Sequence, residues 1–160
     1  MEKPSEYLIK LLRTMLATCK TDDGIGLAAP QIGVNKRIIM IGDLGLEDRP
    51  TGDYRLYVNP AWEPVRSGDP LVDASLKEKV GGYESCLSVP NGKYWIERFD
   101  RIVATWFEHD GDNSWIFKRE ILKGHQARIF QHETDHVDGR SIIDRWKSQE
   151  ASTRAMIKST

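Results

Sequence analysis

The chain has 160 residues, a formal net charge of −1 at pH 7, 39% hydrophobic residues and 29% charged residues. These values are typical of one globular domain and give no indication of a basic surface that would bind nucleic acid or a membrane. No apolar run reaches the length of a membrane span, and the first twenty residues lack a signal-peptide pattern, so the sequence favours a cytosolic-type location.

The first part of the chain predicts a helix followed by strands. Residues 4–20 carry apolar side chains at helical spacing, and Ser5 is a plausible N-cap. A glycine-rich stretch without charge, "GIGLAAPQIG", comes next. The segments "RIIMIGDLG" and "RLYVNPAWEPV" predict two strands, and the polar residues 66–79 predict a loop.

The second part predicts a hairpin and then more helix. "GGYESCLSVPN" is too irregular for a central strand, whereas residues 94–117 predict strands around a turn at "HDGDN". Helical spacing returns over residues 121–137, with Gly139 as the C-terminal stop, and the tail "SIIDRWKSQEASTRAMIK" predicts a final helix. We therefore predict an α+β fold, with antiparallel or mixed sheets around a central helix that carries HExxH, in a single domain spanning residues 1–160, with a short C-terminal tail from about residue 145.

The stretch "FQHETDH" contains two of the four histidines of the chain, His132 and His136. On a helix, positions i and i+4 project from the same face, so both rings can reach one metal ion. Glu133 follows the first histidine and projects beside that ion, where it can take a proton from water. The spacing therefore predicts a catalytic metal site.

A catalytic site of this type needs a third protein ligand. The long metalloprotease pattern requires a histidine at position 142, where this chain has Ile142, and Glu150 lies in a tail expected to be exposed. Of the two cysteines, Cys19 and Cys86, the second is the remaining candidate, although a small buried thiol explains it equally well. Spacing alone leaves this choice open.

Three stretches together resemble the signature motifs of the peptide deformylases: "GIGLAAPQ" (24–31), "ESCLS" (84–88) and "QHETDH" (131–136). The family motifs are GxGxAAxQ, EGCLS and HExDH. The first and third match at every fixed position, whereas Ser85 replaces the glycine of the second. The resemblance spans about residues 5 to 145.

The resemblance implies one divalent metal ion per chain, held by Cys86, His132 and His136, with water in the fourth position. Fe(II) is the expected native ion, and zinc, nickel or cobalt can replace it in a preparation. The implied reaction is hydrolysis of the N-formyl group from formyl-methionyl N-termini, with Glu133 as the general base.

The resemblance also implies roles around the metal. The side-chain amide of Gln31 and the backbone N–H of Leu87 are expected to stabilise the oxyanion, and Gly26 lets the backbone approach the substrate closely. Three further residues are expected in the outer shell of the metal: Glu84, Asp135 and Arg98. Arg98 is as readily explained by an exposed salt bridge.

A methionine pocket is expected beside the metal. The candidate substrate-binding residues are Gly24, Ile25, Ile129 and Lys93. Arg128 and His125 are more polar than such a pocket requires, so we expect them to face solvent while Ile129 and Phe130 cover the space.

The expected partners are formyl-methionyl nascent peptides in the cytoplasm of a bacterium, or of the host for a phage-encoded chain. The ribosome is a further candidate, because a C-terminal helix docks there in some members, although little basic charge is concentrated in this tail. The chain begins almost at the first helix, whereas family members usually carry roughly twenty more residues, so we expect a trimmed or compact member. Two other function classes stay open: a different HExxH metallohydrolase, and a non-enzymatic metal or peptide-binding module.

Overall fold

The computed structural model describes residues 6–21, 24–45, 50–65, 79–110 and 114–158. Its elements are, in chain order, α1 (Glu6–Thr21), β1 (Gly26–Ala28), a 3-10 turn (Ala29–Ile32), β2 (Ile38–Leu44), β3 (Pro50–Pro64), β4 (Lys79–Cys86), β5 (Val89–Phe99), β6 (Arg101–His109), β7 (Trp115–Lys123), α2 (Gly124–Val137) and α3 (Ile142–Lys158). Within these described ranges, no helix is both long and apolar enough to cross a bilayer.

The strands form two sheets. Five of them make one sheet in the order β1-β2-β3-β6-β7, and β4 and β5 make a separate hairpin. The pairings between the described strands are antiparallel, and helices do not alternate with strands as in βαβ units. The predicted α+β class is confirmed.

Strand β2 is buried on both faces. Ile39 and Ile41 pack in one core with Phe130 of α2, whereas Ile38 and Met40 pack in a second core with α1. Successive strand residues project to opposite faces, so a strand covered on both sides needs an unbroken apolar run. The "IIMI" sequence meets this need, and it seats α2 on one face of the sheet and α1 on the other.

Helix α2 begins later than predicted. Ile121 and Leu122 belong to β7, where they pair with β6, so the predicted helical start at residue 121 is wrong. Strand pairing overrides the helical spacing there, and Gly124, with φ of +55°, turns the chain into the helix. At the other end, Gly139 has φ of +75°, which confirms the predicted stop.

Arg37 ties the C-terminal end of α2 to the sheet. Its guanidinium donates to the carbonyl oxygen of Val137 at 3.3 Å, to the carboxylate of Asp138 at 2.6 Å and to the carbonyl oxygen of Pro60 at 2.9 Å. A cation at a helix C-terminus also opposes the negative end of the helix dipole. These contacts hold the histidine-bearing helix at a set position relative to β3.

The hairpin β4–β5 turns at Leu87 and Ser88. Cys86 and Ile96 pack with Ile142 at the start of α3. The irregular pattern of "GGYESCLSVPN" thus corresponds to a turn between two strands. Packing of α3 against the hairpin fixes Cys86 at the end of β4.

The remaining element predictions have mixed outcomes. The first helix, the strands in "RIIMIGDLG" and "RLYVNPAWEPV", and a helix in the tail are confirmed. The predictions for Ser5, for most of the loop at 66–79 and for the centre of the turn at 109–113 lie outside the described residues.

Candidate metal centre and active site

Cys86, His132 and His136 bring three donor atoms to one point. The Nε2 atoms of His132 and His136 lie 3.3 Å apart, and Cys86 Sγ lies 3.4 Å from His136 Nε2. All three donor atoms lie within 4.8 Å of one another. Donors around a tetrahedral ion with bonds of about 2.0–2.3 Å are roughly 3.3–3.6 Å apart, so the spacing fits a first-row divalent metal.

The two histidines come from α2 and the cysteine from the end of β4. A set of one thiolate and two imidazoles suits Fe(II), Zn(II), Co(II) and Ni(II), so donor type does not select among these ions. In the described part of the chain the cluster has three members, which leaves one tetrahedral position for substrate or water.

Glu84 orients His132. The Nδ1 atom of His132 lies 2.8 Å from Glu84 Oε1. An ionised carboxylate only accepts hydrogen bonds, so Nδ1 carries the proton and donates, and Nε2 is the atom that can bind the metal. The pKa of Glu84 is about 2: burial by itself raises it, but hydrogen bonds from His132 and Arg98 outweigh the burial.

Arg98 joins the two outer-shell carboxylates. Its Nε donates to Glu84 at 2.9 Å and its NH1 donates to Asp135 at 2.7 Å. Arg98 is only 4% exposed, so the alternative of an exposed surface salt bridge is wrong. Arg128 adds a 2.5 Å bond to Glu84, and Arg145 of α3 pairs with Asp135.

The pKa of the Cys86 thiol is lower than that of an ordinary cysteine. Burial raises its pKa, but hydrogen bonds from His132 and His136 and from the backbone of Ser88 lower it more and bring it to about 5. Burial likewise lowers the pKa of His132, but the neighbouring Cys86 and Glu84 raise it to about 10. A cysteine binds a metal ion as the thiolate and a histidine binds it through an unprotonated ring nitrogen, so the lowered pKa of Cys86 favours the ligand form of that residue.

Glu133 is buried beside the ligands and 4% exposed. Its Oε2 atom has no hydrogen-bond partner among the described residues. Burial raises the pKa of Glu133, against the opposing charges of His132 and His136. A buried carboxylate oxygen without a partner is costly in a purely structural role, and a raised pKa suits a group that must take up and return a proton.

Gly26 makes room for this carboxylate. A Cβ built at Gly26 would lie 2.8 Å from Glu133 Cδ and 2.9 Å from its Cγ, closer than real Cβ contacts allow. Glu133 cannot yield easily, because it projects from the middle of α2 into a buried space. The requirement for glycine at this position is therefore steric.

We expect Gly26→Ala to lower kcat/KM for the deformylation that the sequence resemblance implies by about a hundredfold, because displacing the expected base from its position costs rates of this order. Steady-state kinetics with a formyl-methionyl peptide would measure it. Gly42→Ala is the matched control: its Cβ would meet Ile25 O and Tyr54 Cε1 at 3.4 Å, an ordinary contact, so its kcat/KM should stay within about threefold. Equal activities of the two variants would contradict the steric role of Gly26.

Gln31 is held by both ends of its side-chain amide. Its Oε1 accepts from Ala28 N at 2.8 Å, and its Nε2 donates to Ser88 Oγ at 2.9 Å and lies 3.6 Å from Cys86 Sγ. Leu87 follows the cysteine in the exposed turn. Ser88, the last residue of "ESCLS", was not among the predicted site residues.

A cavity of about 410 Å³ opens over the metal site. Its lining includes the predicted residues Gly24, Ile25, Gly26, Gln31, Glu84, Cys86, Leu87, Ile129, His132 and Glu133. Lys93 is not among the lining residues and lies exposed on β5.

Two further residues of α2 line this cavity, Arg128 and His125. The expectation that both face solvent is wrong for Arg128, whose side chain is only 18% exposed and is bonded to the β4–β5 hairpin, whereas His125 is exposed to solvent as expected and also lines the cavity. Phe130 is fully buried in the core against the sheet and does not line the cavity.

Comparison with known proteins gives a consistent picture. The model of the polypeptide deformylase family matches residues 1–152. Peptide deformylase of Leptospira biflexa serovar Patoc is 36% identical over 143 residues, covering 87% of this chain and 72% of the relative. Peptide deformylase of Dictyoglomus thermophilum is 37% identical over 145 residues, covering 91% and 80%.

Solved structures agree with these sequence relatives. The peptide deformylase of Thermotoga maritima superposes with a TM-score of 0.68 at 34% identity, covering 91% of this chain and 84% of that one. A probable peptide deformylase of Synechococcus phage S-SSM7 gives a TM-score of 0.71 at 34% identity, covering 91% and 87%. The chain therefore belongs to the polypeptide deformylase family, hydrolases that remove the N-formyl group from newly made polypeptides.

Proposed function

We propose that this chain hydrolyses the formyl amide of formyl-methionyl peptides at a divalent metal held by Cys86, His132 and His136, with Glu133 as general base. The observation that carries the proposal is the convergence of three atoms that could bind a metal ion beside a buried carboxylate oxygen that has no partner among the described residues. Cys86, His132 and Glu133 line one cavity. Fe(II) is the proposed native ion.

The residues divide the work of amide hydrolysis. The bound metal would supply Lewis-acid polarisation and lower the pKa of a water molecule. Glu133 accepts a proton from the attacking water as the new C–O bond forms, and it returns that proton to the leaving nitrogen as the C–N bond breaks. The products are formate and a peptide with a free amino terminus.

Negative charge develops on the formyl oxygen during the attack. We assign its stabilisation to the Gln31 amide and the Leu87 backbone N–H, since both residues line the cavity next to Cys86. Bonds to Ala28 and Ser88 fix the Gln31 amide, so it needs little reorganisation as the charge appears.

The cavity also sets where the peptide lies. We propose that the first side chain enters beside Ile25 and Ile129, with Gly24 along the entrance. The proposed substrates are nascent chains that emerge in the cytoplasm, and one catalytic domain carries the site. Lys93 does not line the cavity, so the structure gives no support to its proposed contact with the peptide.

Two observations weigh against the alternative classes. A peptidase with Glu150 as third ligand would need that residue near the histidines, whereas it lies in α3 along a separate groove between α3 and β5. A closed structural site would need a fourth ligand, which the cluster of described residues does not contain.

The test is release of formate from formyl-Met-Ala-Ser by protein purified anaerobically and loaded with Fe(II). Turnover at one metal per chain supports the proposal. A correctly metallated protein that releases no formate would contradict it, and acetylated and free peptides should then be assayed.

Ser85, which stands where the family motif has glycine, lines the cavity with an exposed side chain. We expect Ser85→Gly to change kcat/KM by less than about tenfold, because serine keeps the same backbone N–H and C=O groups. The same formate assay measures this. A hundredfold gain in kcat/KM would show that Ser85 changes the activity of the site relative to the family motif.

A further inference from the structure

Arg128 forms a charged wall of the substrate cavity. It lies one turn before His132 on α2, and its side chain is 18% exposed. It crosses to the β4–β5 hairpin, where NH1 donates to Glu84 at 2.5 Å and to Ile96 O at 3.0 Å, and NH2 donates to Val80 O at 2.5 Å. These bonds hold the guanidinium at the wall instead of letting it extend into solvent.

Gly82 permits this close approach. A Cβ built there would lie 3.1 Å from Arg128 Cζ and 3.2 Å from NH2, so the guanidinium packs directly on the backbone of β4. Tyr83 and Glu84, the next two residues, also line the cavity. The wall formed by Arg128 is thus continuous with the part of β4 that lines the cavity, at Tyr83 and Glu84.

The guanidinium of Arg128 brings a positive charge to the lining of the cavity. It belongs to an ion-pair network that, among the described residues, also joins Arg98 and Arg145 to the carboxylates of Glu84 and Asp135. In a partly desolvated cavity a guanidinium favours a hydrogen-bond acceptor over hydrocarbon. His125, at the first turn of α2, adds a second polar group to the same cavity.

We propose that Arg128 is a specificity-determining residue, which makes the cavity accept a first side chain with a hydrogen-bond acceptor at its tip about as well as a purely apolar one. The proposal rests on the proposed deformylase function and concerns the side chain of the formylated residue. Glutamine and norleucine represent the two classes, because both are unbranched and similar in length to methionine.

The experiment compares formyl-Gln-Ala-Ser with formyl-norleucine-Ala-Ser in the wild type and in Arg128→Met. The ratio of the two kcat/KM values on one enzyme cancels any common effect of the substitution on metal loading or on Glu84. We define the ratio as kcat/KM for formyl-Gln-Ala-Ser divided by kcat/KM for formyl-norleucine-Ala-Ser, and we expect it to lie within about tenfold of unity in the wild type. In Arg128→Met we expect the ratio to be about tenfold lower than in the wild type, because one polar contact to the glutamine side chain is lost.

Two more variants keep the test decisive. Arg128→Lys retains the positive charge, so its ratio should stay within about threefold of the wild type. His125→Leu leaves the Arg128 bonds intact and should lower the ratio by about threefold even if Arg128→Met does not fold. A wild-type ratio more than about tenfold against glutamine, or an unchanged ratio in Arg128→Met, overturns the inference alone. A metallated wild type that releases no formate from formyl-Met-Ala-Ser or from either test peptide overturns the proposed function and this inference with it.

Discussion

Glu133→Gln is expected to lower formate release by about a thousandfold while the protein keeps its metal. The amide has nearly the same shape as the carboxylate, so the buried space beside the ligands stays filled. It cannot accept and return a proton, however, and this is the proposed role of Glu133. Kinetics at saturating formyl-Met-Ala-Ser, with metal content measured on the same sample, would check both parts of the expectation.

The wild-type pH profile offers a second check on Glu133. Burial raises its pKa above the ordinary carboxyl value of 4.5. A general base works only when deprotonated, so activity should fall with acidification from a pH above 4.5. The profile should be recorded on fully metallated enzyme, so that metal loss at low pH is not counted as protonation of the base.

Glu150→Gln is the matched control, because it makes the same chemical change on α3, away from the metal cluster. Its activity should stay within about twofold of the wild type, since surface changes of this kind have small effects. Full activity of Glu133→Gln would contradict the assignment of the base. Loss of metal from Glu150→Gln would favour the peptidase alternative.

Cys86→Ala is expected to weaken metal binding by at least about a hundredfold, with a matching loss of activity under limiting metal. Even a change in the outer shell of a metal site costs about 10–100-fold in affinity, and this change would remove a proposed ligand itself. The two histidines would remain, 3.3 Å apart, as an incomplete site. Titration with Co(II) or Zn(II) would measure the affinity in the absence of substrate.

Cys19→Ala is the control for this prediction. Cys19 is the other cysteine of the chain and is fully buried on α1, in a core separate from the proposed metal site. Its replacement should lower stability through the lost contacts but leave metal affinity within about threefold. Retention of metal by Cys86→Ala would contradict the ligand set and point to a different third ligand.

Much of the secondary structure followed from local pattern. The spacing of His132 and His136 predicted a shared helix face, because backbone geometry alone brings positions i and i+4 together. The doubly buried strand β2 followed from its unbroken apolar run, and the helix stop from Gly139. The start of α2 did not follow, because pairing with β6 made a strand of residues whose spacing also fits a helix.

Contacts between residues that are distant in sequence could be identified only from the folded structure. Spacing left Cys86 undecided between ligand and core residue, and only the resemblance to a family separated the two. The structure then placed its thiol 3.4 Å from His136, fifty residues away in sequence. It also shows that Arg128 donates a hydrogen bond to the β4–β5 hairpin and that Lys93 does not line the cavity.

The sequence by itself determined the elements that carry the chemistry and the two histidines that share one helix face. The tertiary structure decided which carboxylate orients His132, which guanidinium lines the substrate cavity and which side chain holds Gln31. The physical reason is the range of the forces. Periodicity and turn preferences act over a few residues, whereas ion pairs and close packing form only where the folded hairpin and helix bring remote side chains within about 3 Å.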